Sequence, residues 1–439
     1  MRLLFSLLLL LTCTFSFSQI LTQQERAGVK DELLGIRLNT VLPELMDAHG
    51  IDMWILISRE YNEDPVLRTM LPATWLHARR RTMIVFYRNK EQNSIEKLAV
   101  ARYDIGKHIT SSWDKEKEPD QWKALNNLIE ARNPKTIGIN VSEHFGIADG
   151  LVKTDHDALM KAVSESTRAK FVSAEKLCIG WIEIRTPQEM QHFKDLVEIT
   201  HGIIDEAYSN KVIKPGITTT DDVVWWMRQK VTKLGLSTWF QPSVDIQRSG
   251  EQLKDQTQSI TKKDSSKIIQ KGDLLHCDFG ISYLGLNTDC QQLAYVLNDN
   301  ESAVPDYLAS AYEKGNQLQD ILTANMKQGR TGNDILLRSL QEAKEQGLRP
   351  SIYTHPLGSY GHSAGTTIGM WDAQQGVPFK GDHPLQYNTV YAIELNTTVS
   401  IPEWGKDIRI MLEEAGFYGE QGFSYVNKRQ DVIKAIQAQ

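Results

Sequence analysis

Two kinds of apolar spacing divide the chain. Between about Gln24 and His49, residues Leu33, Leu34, Ile36, Val41, Leu42, Leu45 and Met46 recur at helical intervals, and Gly50 ends the run. Ile51–Ser58 (IDMWILIS) is almost unbroken apolar sequence rich in strand formers, which predicts a buried strand. Further strands are predicted over Thr82–Arg88 (TMIVFYR), Leu98–Tyr103 (LAVARY) and Thr136–Val141 (TIGINV), with a helix around Gln121–Ala131. Alternation of this kind builds a compact α/β unit of about 150 residues.

A new pattern begins near Glu183. Thr186, Pro187 and Glu189 supply an N-cap, a first-turn proline and a capping-box acid, so a helix starts here and carries Leu196, Ile199, Ile203 and Ala207 inward. Lys214-Pro215-Gly216 breaks the chain. Thr218 with Asp221 predicts a second helix carrying Val223, Val224, Met227 and Val231, its Trp225-Trp226 pair expected in the core. After Leu236 strand signals dominate, interrupted by helices at about Pro305–Gln328 and Asn333–Gln346. The second half is therefore expected to be helices plus mostly antiparallel strands.

Composition narrows the class. At 439 residues two domains are expected, and 41% hydrophobic with 24% charged residues is ordinary for globular chains. A net charge of −6 argues against nucleic acid as a main partner, and the run His77–Arg81 reads as a solvated strand edge. Arg2, the apolar Leu3–Leu11 and Ser16-Phe17-Ser18 make residues 1–18 a secretory signal peptide, too short to span a bilayer comfortably. No later stretch approaches a membrane span, so an exported protein, periplasmic or secreted, is expected. Cys178, Cys277 and Cys290 remain after cleavage, too few for a disulfide framework. Cys277 and Cys290 are either small buried residues or a cross-strand disulfide.

The candidate chemistry centres on Leu274–Gln291 (LLHCDFGISYLGLNTDCQ), read as two strands joined by a Gly-containing turn, with Asp278 on the first and Asp289 on the second. A carboxylate inside an apolar strand is costly unless paired, and two aimed at one spot call for a divalent cation. Downstream, His355 and His362 lie within eight residues of each other in a Gly-rich segment. Glu394 sits in the apolar run VYAIELN, and Glu413 follows Met411 and Arg409 on one face of IRIMLEE while Glu414 faces away. Carboxylates with one imidazole favour Mn, Co, Fe or Zn.

Asp, Asp, His, Glu, Glu in this order resembles the creatinase/aminopeptidase ("pita-bread") superfamily, in particular its Xaa-Pro aminopeptidases and prolidases. Asp278-Phe279-Gly280 is similar to the family's Asp-x-Gly aspartate, and Asp289 follows eleven residues later. RTPQEMQHFKDLVEIT resembles the start of the catalytic domain, and the preceding α/β unit resembles the creatinase-type N-terminal domain. The resemblance implies an α+β architecture, with a signal peptide 1–18, an N-terminal α/β domain 19–182 and a pita-bread catalytic domain 183–439. His355-Pro356-Leu357-Gly358-Ser359-Tyr360-Gly361-His362 fits the family's His-x-x-Gly-x-x-x-His, which makes His355 a metal ligand and His362 a substrate contact. The competing register makes His362 the ligand and leaves Trp371 where the second His should stand.

On this resemblance two divalent ions are held by Asp278, Asp289, His355, Glu394 and Glu413, with Asp278 and Glu413 shared, Glu394 the base and His362 stabilising the oxyanion. The expected activity is removal of an N-terminal residue from short peptides, Xaa-Pro peptides among them, by a dimer such as is common in the family. Two departures bear on proline: no histidine occurs in Val244–Gln270, where the family has one, and Met411 stands at the family's Arg position. His276 is a candidate substitute on the same side as Asp278. The competing readings are a metal-independent creatinase-like amidinohydrolase and a catalytically silent pita-bread binding protein.

Overall fold

A computed structural model describes residues 20–253 and 266–438; the expected signal peptide lies outside them. The structure is of the α+β class. Residues 53–173 form one six-stranded sheet in the order β4-β3-β2-β1-β5-β6, built from β1 (Met53–Arg59), β2 (Arg81–Asn89), β3 (Ser94–Ala99), β4 (Thr110–Ser111), β5 (Ile137–Ile139) and β6 (Phe171–Ser173). Strand β1 has cores on both faces: Trp54 and Leu56 join one apolar cluster, Met53, Ile55 and Ile57 another, which is why the run IDMWILIS has no polar alternation.

The expected helix over 24–49 is two, Gln23–Asn39 and Val41–Ala48, parted at Thr40, whose φ widens to −115° while its hydroxyl bonds back to Ile36 O. Strand β3 lies earlier than the expected Leu98–Tyr103, since the turn at Asn93, held at φ +46°, sends the chain straight back along β2. The capping box at Thr186 and Glu189 is present and opens the helix Pro187–Ala207. The next helix, Thr220–Lys233, is capped by Thr219 with Asp222, one residue beyond the expected pair. Trp225 is not core: it is 62% exposed with Arg228 over its ring, and only Trp226 packs inward. Helical spacing puts neighbouring residues 100° apart, so one tryptophan of a pair faces out.

The second half carries β7 (Ser243–Gln247), β8 (Leu274–Asp278), β9 (Ser282–Tyr283), β10 (Leu286–Asn287), β11 (Gln291–Val296), β12 (Pro350–Ile352), β13 (His355–Leu357), β14 (Thr389–Ala392), β15 (Leu395–Ile401), β16 (Lys406–Leu412), β17 (Ala415–Gly419), β18 (Gly422–Tyr425) and β19 (Lys434–Ile436). They make sheets β19-β11-β8-β7, β12-β15-β16 and β13-β14-β17-β18, antiparallel except for β11 with β19. Strands β8 and β11 are sandwiched. Leu275, Cys277, Ala294 and Val296 face the core that includes Phe193, Ile203 and Met227 from the two helices, while Leu274, Leu293 and Tyr295 face a core shared with the helix Asp306–Asn325. Among the described residues no helix is long and apolar enough to cross a membrane.

Asp64 gives the first half a pH dependence. It caps the short helix Pro65–Arg68 through Val66 N and Leu67 N, is 1% exposed, and burial pushes its carboxyl up to about 6. A folded pKa raised above the unfolded value means the folded state binds the proton more tightly, so stability falls as pH rises through that window. Between about pH 4 and 6 the loss approaches 3 kcal/mol for a shift of about two pH units. Unfolding free energies measured across this range should show this contribution as the part of the slope that Asp64→Asn removes, up to about 3 kcal/mol.

Candidate metal centre

Alternation along the strands assembles the centre. On β8, Asp278 and His276 point to the face opposite Cys277; on β11, Gln291 lies opposite Asp278. Asp289 is not on the second strand, as expected from the sequence. The residues between Phe279 and Cys290 fold into their own β9–β10 hairpin, with Leu284 and Gly285 at positive φ in its turn, and Asp289 sits in the link to β11. That link is pinned on both sides. Thr288 N bonds Ile281 O, its hydroxyl meets Thr200 and its carbonyl accepts from Trp239 Nε1, while Phe279 N bonds Cys290 O.

The other ligand candidates arrive from the two remaining sheets. His355 opens β13, paired across to Ala392, and Tyr353 N bonds the carbonyl of Glu394. Glu413 follows β16 and exchanges both backbone hydrogen bonds with Gln291, at 3.0 and 3.2 Å, which ties the third strand system to the first. Glu414 turns the other way, as expected, and meets His201 at 2.7 Å and Gln292 at 2.9 Å. The loop from Gly358 to His362 is held by Asn287 bonding Gly358 O, Arg185 reaching Ser359, and Tyr360 bonding Pro65 O.

His355 Nε2 stands 3.6 Å from Glu413, 3.8 Å from Asp289 and 3.8 Å from Glu394. Candidate ligand atoms fall within 4.8 Å of one another in the groups Asp278/Asp289/Glu413, His355/Glu394/Glu413 and Asp289/His355/His362. All six residues singled out in the sequence are brought together. Glu413 and Asp289 recur in these groups, whereas Asp278, expected to be shared, occurs in only one. At the end of β8 it groups with Asp289 and Glu413. His355, its side chain 12% exposed, lies at the centre, and the more exposed His362 stands at the rim, ring to ring at 4.8 Å, with Trp239 edge-on beyond it at 5.1 Å.

The electrostatics favour a cation. His355 Nδ1 lies 3.1 Å from Pro356 O, which assigns the ring proton to Nδ1 and leaves Nε2 a bare acceptor facing three carboxylates. Burial pushes the His355 imidazole down to about 4, so this ring supplies no proton at neutral pH. Burial pushes Asp278 up to about 7; Asp289, Glu394 and Glu413 rise too, from burial and then from one another's charge. Asp278 Oδ1, Asp289 Oδ1, Glu413 Oε1 and His355 Nε2 are buried with no hydrogen-bond partner. Acceptors facing acceptors in a buried site cost several kcal/mol without a positive partner. Four carboxylates and one imidazole fit divalent transition ions.

Glycine allows the wall to close. A Cβ on Gly280 would lie 2.6 Å from Trp239 Nε1 and nearer still to the Thr288 carbonyl that fixes Asp289. Gly280→Ala is expected to cost about 1–3 kcal/mol of stability from overpacking, read as a lower denaturant midpoint. Sequence reasoning missed Trp239 and Gln291. The signal for the second was present: a glutamine pair opening the otherwise apolar strand QQLAYV. Cys277 and Cys290 are free and buried, so the disulfide alternative does not hold. They pack in the apolar core behind the carboxylates.

The chain matches the model of metallopeptidase family M24 over residues 191–413. No curated protein matches it. Among solved structures it is similar to an X-Pro aminopeptidase from Thermotoga maritima MSB8, with TM-score 0.64 and 18% identity over 89% of this chain and 99% of that one. It is also similar to an Xaa-Pro dipeptidase from Bacillus anthracis, with TM-score 0.60 and 17% identity over 94% and 100%. The N-terminal domain of FACT complex subunit SPT16 from chickpea superposes with TM-score 0.53 at 13% identity over 94% and 99%. These likenesses cover nearly the whole of each chain and establish the fold; the reaction has to be argued from the site.

Proposed function

This chain belongs to metallopeptidase family M24, and from that premise we propose that it is an exported dinuclear-metal peptidase removing an N-terminal residue from short peptides, Xaa-Pro peptides included. The observation that carries the reading is the set of four buried, unpartnered ligand atoms on Asp278, Asp289, Glu413 and His355. Asp278, Asp289 and Glu413 would hold one ion, and His355, Glu394 and Glu413 the other. Two such ions supply Lewis acidity for the scissile carbonyl and a water acidic near pH 7.

The protein's own groups do the rest. Glu394 Oε2 faces the centre and is placed to take the proton that the attacking water gives up. Its Oε1 is occupied by Gln291, so the proton is held on one defined atom. His362, at the rim, donates to the carbonyl oxygen as negative charge develops there. Trp239 and Phe240 wall that side and exclude water from the reacting bond. Tyr353 and Asn396 are hydrogen-bonded to each other, and Met411, two residues before Glu413, is paired opposite Asn396. An apolar Met411 there offers packing to a substrate side chain in place of a charge. Export rests on Arg2 and the apolar run Leu3–Leu11.

The test combines elemental analysis of the purified mature chain with hydrolysis of short peptides that do or do not carry proline second. Metal at about two ions per chain and metal-dependent release of the first residue are expected. Metal-free protein that leaves every peptide intact sinks the proposal in favour of a silent binding protein. Metal-independent cleavage of an amidino substrate would establish the creatinase-like reading instead.

A further inference from the structure

Behind the ligands stands a side chain that neither binds nor reacts. Gln291 opens β11, is 4% exposed and lies opposite Asp278. Its side-chain amide donates to Glu394 Oε1, and its Oε1 meets His276 Nε2 at 2.8 Å. Its backbone exchanges two hydrogen bonds with Glu413. One residue thus touches two of the ligand candidates, through separate groups.

We propose that Gln291 is the positioning residue of this centre, locking Glu394 so that a single oxygen, Oε2, is presented to the metal and to the water. The inference rests on the metallopeptidase reading of the site. The physical case starts from the carboxamide, which has two faces of opposite character. Flipped, Gln291 would set a carbonyl oxygen against the Glu394 carboxylate, two acceptors in contact, so the donor must face Glu394. The oxygen then needs a donor of its own, and His276 supplies it only with its proton on Nε2. That tautomer leaves His276 Nδ1 bare, and Nδ1 is buried without a partner. The Glu394 end therefore determines the orientation of the amide, and His276 takes the tautomer that completes it. His276 holds the amide, the amide holds Oε1, and the remaining oxygen stands 3.8 Å from His355 Nε2. Without the amide the carboxylate is free to rotate, and both its oxygens compete for the same cation.

Backing groups of this kind typically set metal affinity by a factor of about 10–100. The experiment titrates Mn²⁺ or Co²⁺ into metal-stripped, full-length mature chain by calorimetry, for the native protein, Gln291→Leu and His276→Phe, with the melting temperature of each metal-free form recorded. Gln291→Leu is expected to bind about 10–100 times more weakly, to lower kcat more than it changes KM, and to alter the Co²⁺ absorption spectrum. His276→Phe, which keeps the amide and loses its anchor, is expected to shift in the same direction by less. A purely structural role would lower the metal-free melting temperature and leave affinity and spectrum alone. Native affinity and spectrum in a folded Gln291→Leu overturn the inference. Should that variant not fold, native affinity in His276→Phe overturns it equally. A native chain that takes up no metal sinks the peptidase reading itself, an outcome distinct from metal uptake unaffected by these substitutions.

Discussion

Glu394→Gln should lower kcat by about 10²–10⁴, the range set by loss of a positioned general base. The substitution is nearly isosteric, and the amide oxygen can still accept from Gln291, so the local packing survives. What is lost is the one anionic oxygen aimed at the centre, 3.8 Å from His355. Burial, and then the charges of Glu413, Asp278 and Asp289, push the proton affinity of Glu394 up, which suits it to accept a proton. Kinetics on a metal-saturated sample, with metal content measured alongside, separate the two contributions of this residue. A drop in kcat with metal retained assigns the base; a drop that tracks metal loss assigns a ligand. Turnover within about threefold of the native enzyme would remove Glu394 from the chemistry, since a general base contributes at least about 10².

Glu189→Leu should destabilise the fold by about 3–5 kcal/mol, because it strands two buried guanidinium groups. Arg37 Nη1 meets Glu189 at 2.8 Å and Arg185 Nη1 meets it at 2.9 Å, all three side chains at most 7% exposed. Burial alone would raise the carboxyl of Glu189, but Arg185 and Arg37 outweigh it and hold the carboxylate below its usual range. The same glutamate closes the capping box with Thr186. The cost therefore adds an uncompensated pair of charges to a lost helix cap. Arg37 comes from the helix Gln23–Asn39, and Arg185 reaches Ser359 in the loop leading to His362. Denaturant unfolding should show the fall in midpoint, and the loosened loop should raise KM in whatever enzyme remains folded. A change below about 1 kcal/mol would mean the cluster is no more than a surface-type ion pair.

Local rules were legible in the linear order of residues. The helix start at Thr186-Pro187-Glu189 follows from capping chemistry within four positions, and the buried character of β1 follows from five consecutive apolar residues, Met53 to Ile57. Asp278 against Cys277 and Glu413 against Glu414 follow from strand alternation, which assigns opposite faces to neighbours wherever the chain is extended. Alternation also explains the miss at Asp289. Counting through Leu274–Gln291 as one hairpin ignored that Leu284-Gly285 can turn the chain back early and place a small ribbon inside the larger one. At Trp225 the rule that aromatic residues are buried was applied to two neighbours, and a helix can satisfy it for only one of them.

The amino-acid sequence by itself singled out the side chains that the structure brings together: two aspartates and two glutamates, costly in apolar strands when unpaired, and two histidines in a Gly-rich segment. It left open which histidine lies among the carboxylates, because both registers place an imidazole near a glycine. Only the tertiary structure decided that His355 stands at the centre with His362 at the rim, that Glu413, Asp289 and His355 are the points of overlap, and that Gln291 ties Glu394 to Glu413. Those facts depend on the register between strands up to 122 positions apart, Gln291 against Glu413 above all. Side-chain direction is settled by the nearest few residues, whereas convergence is settled by how three separate sheets pack.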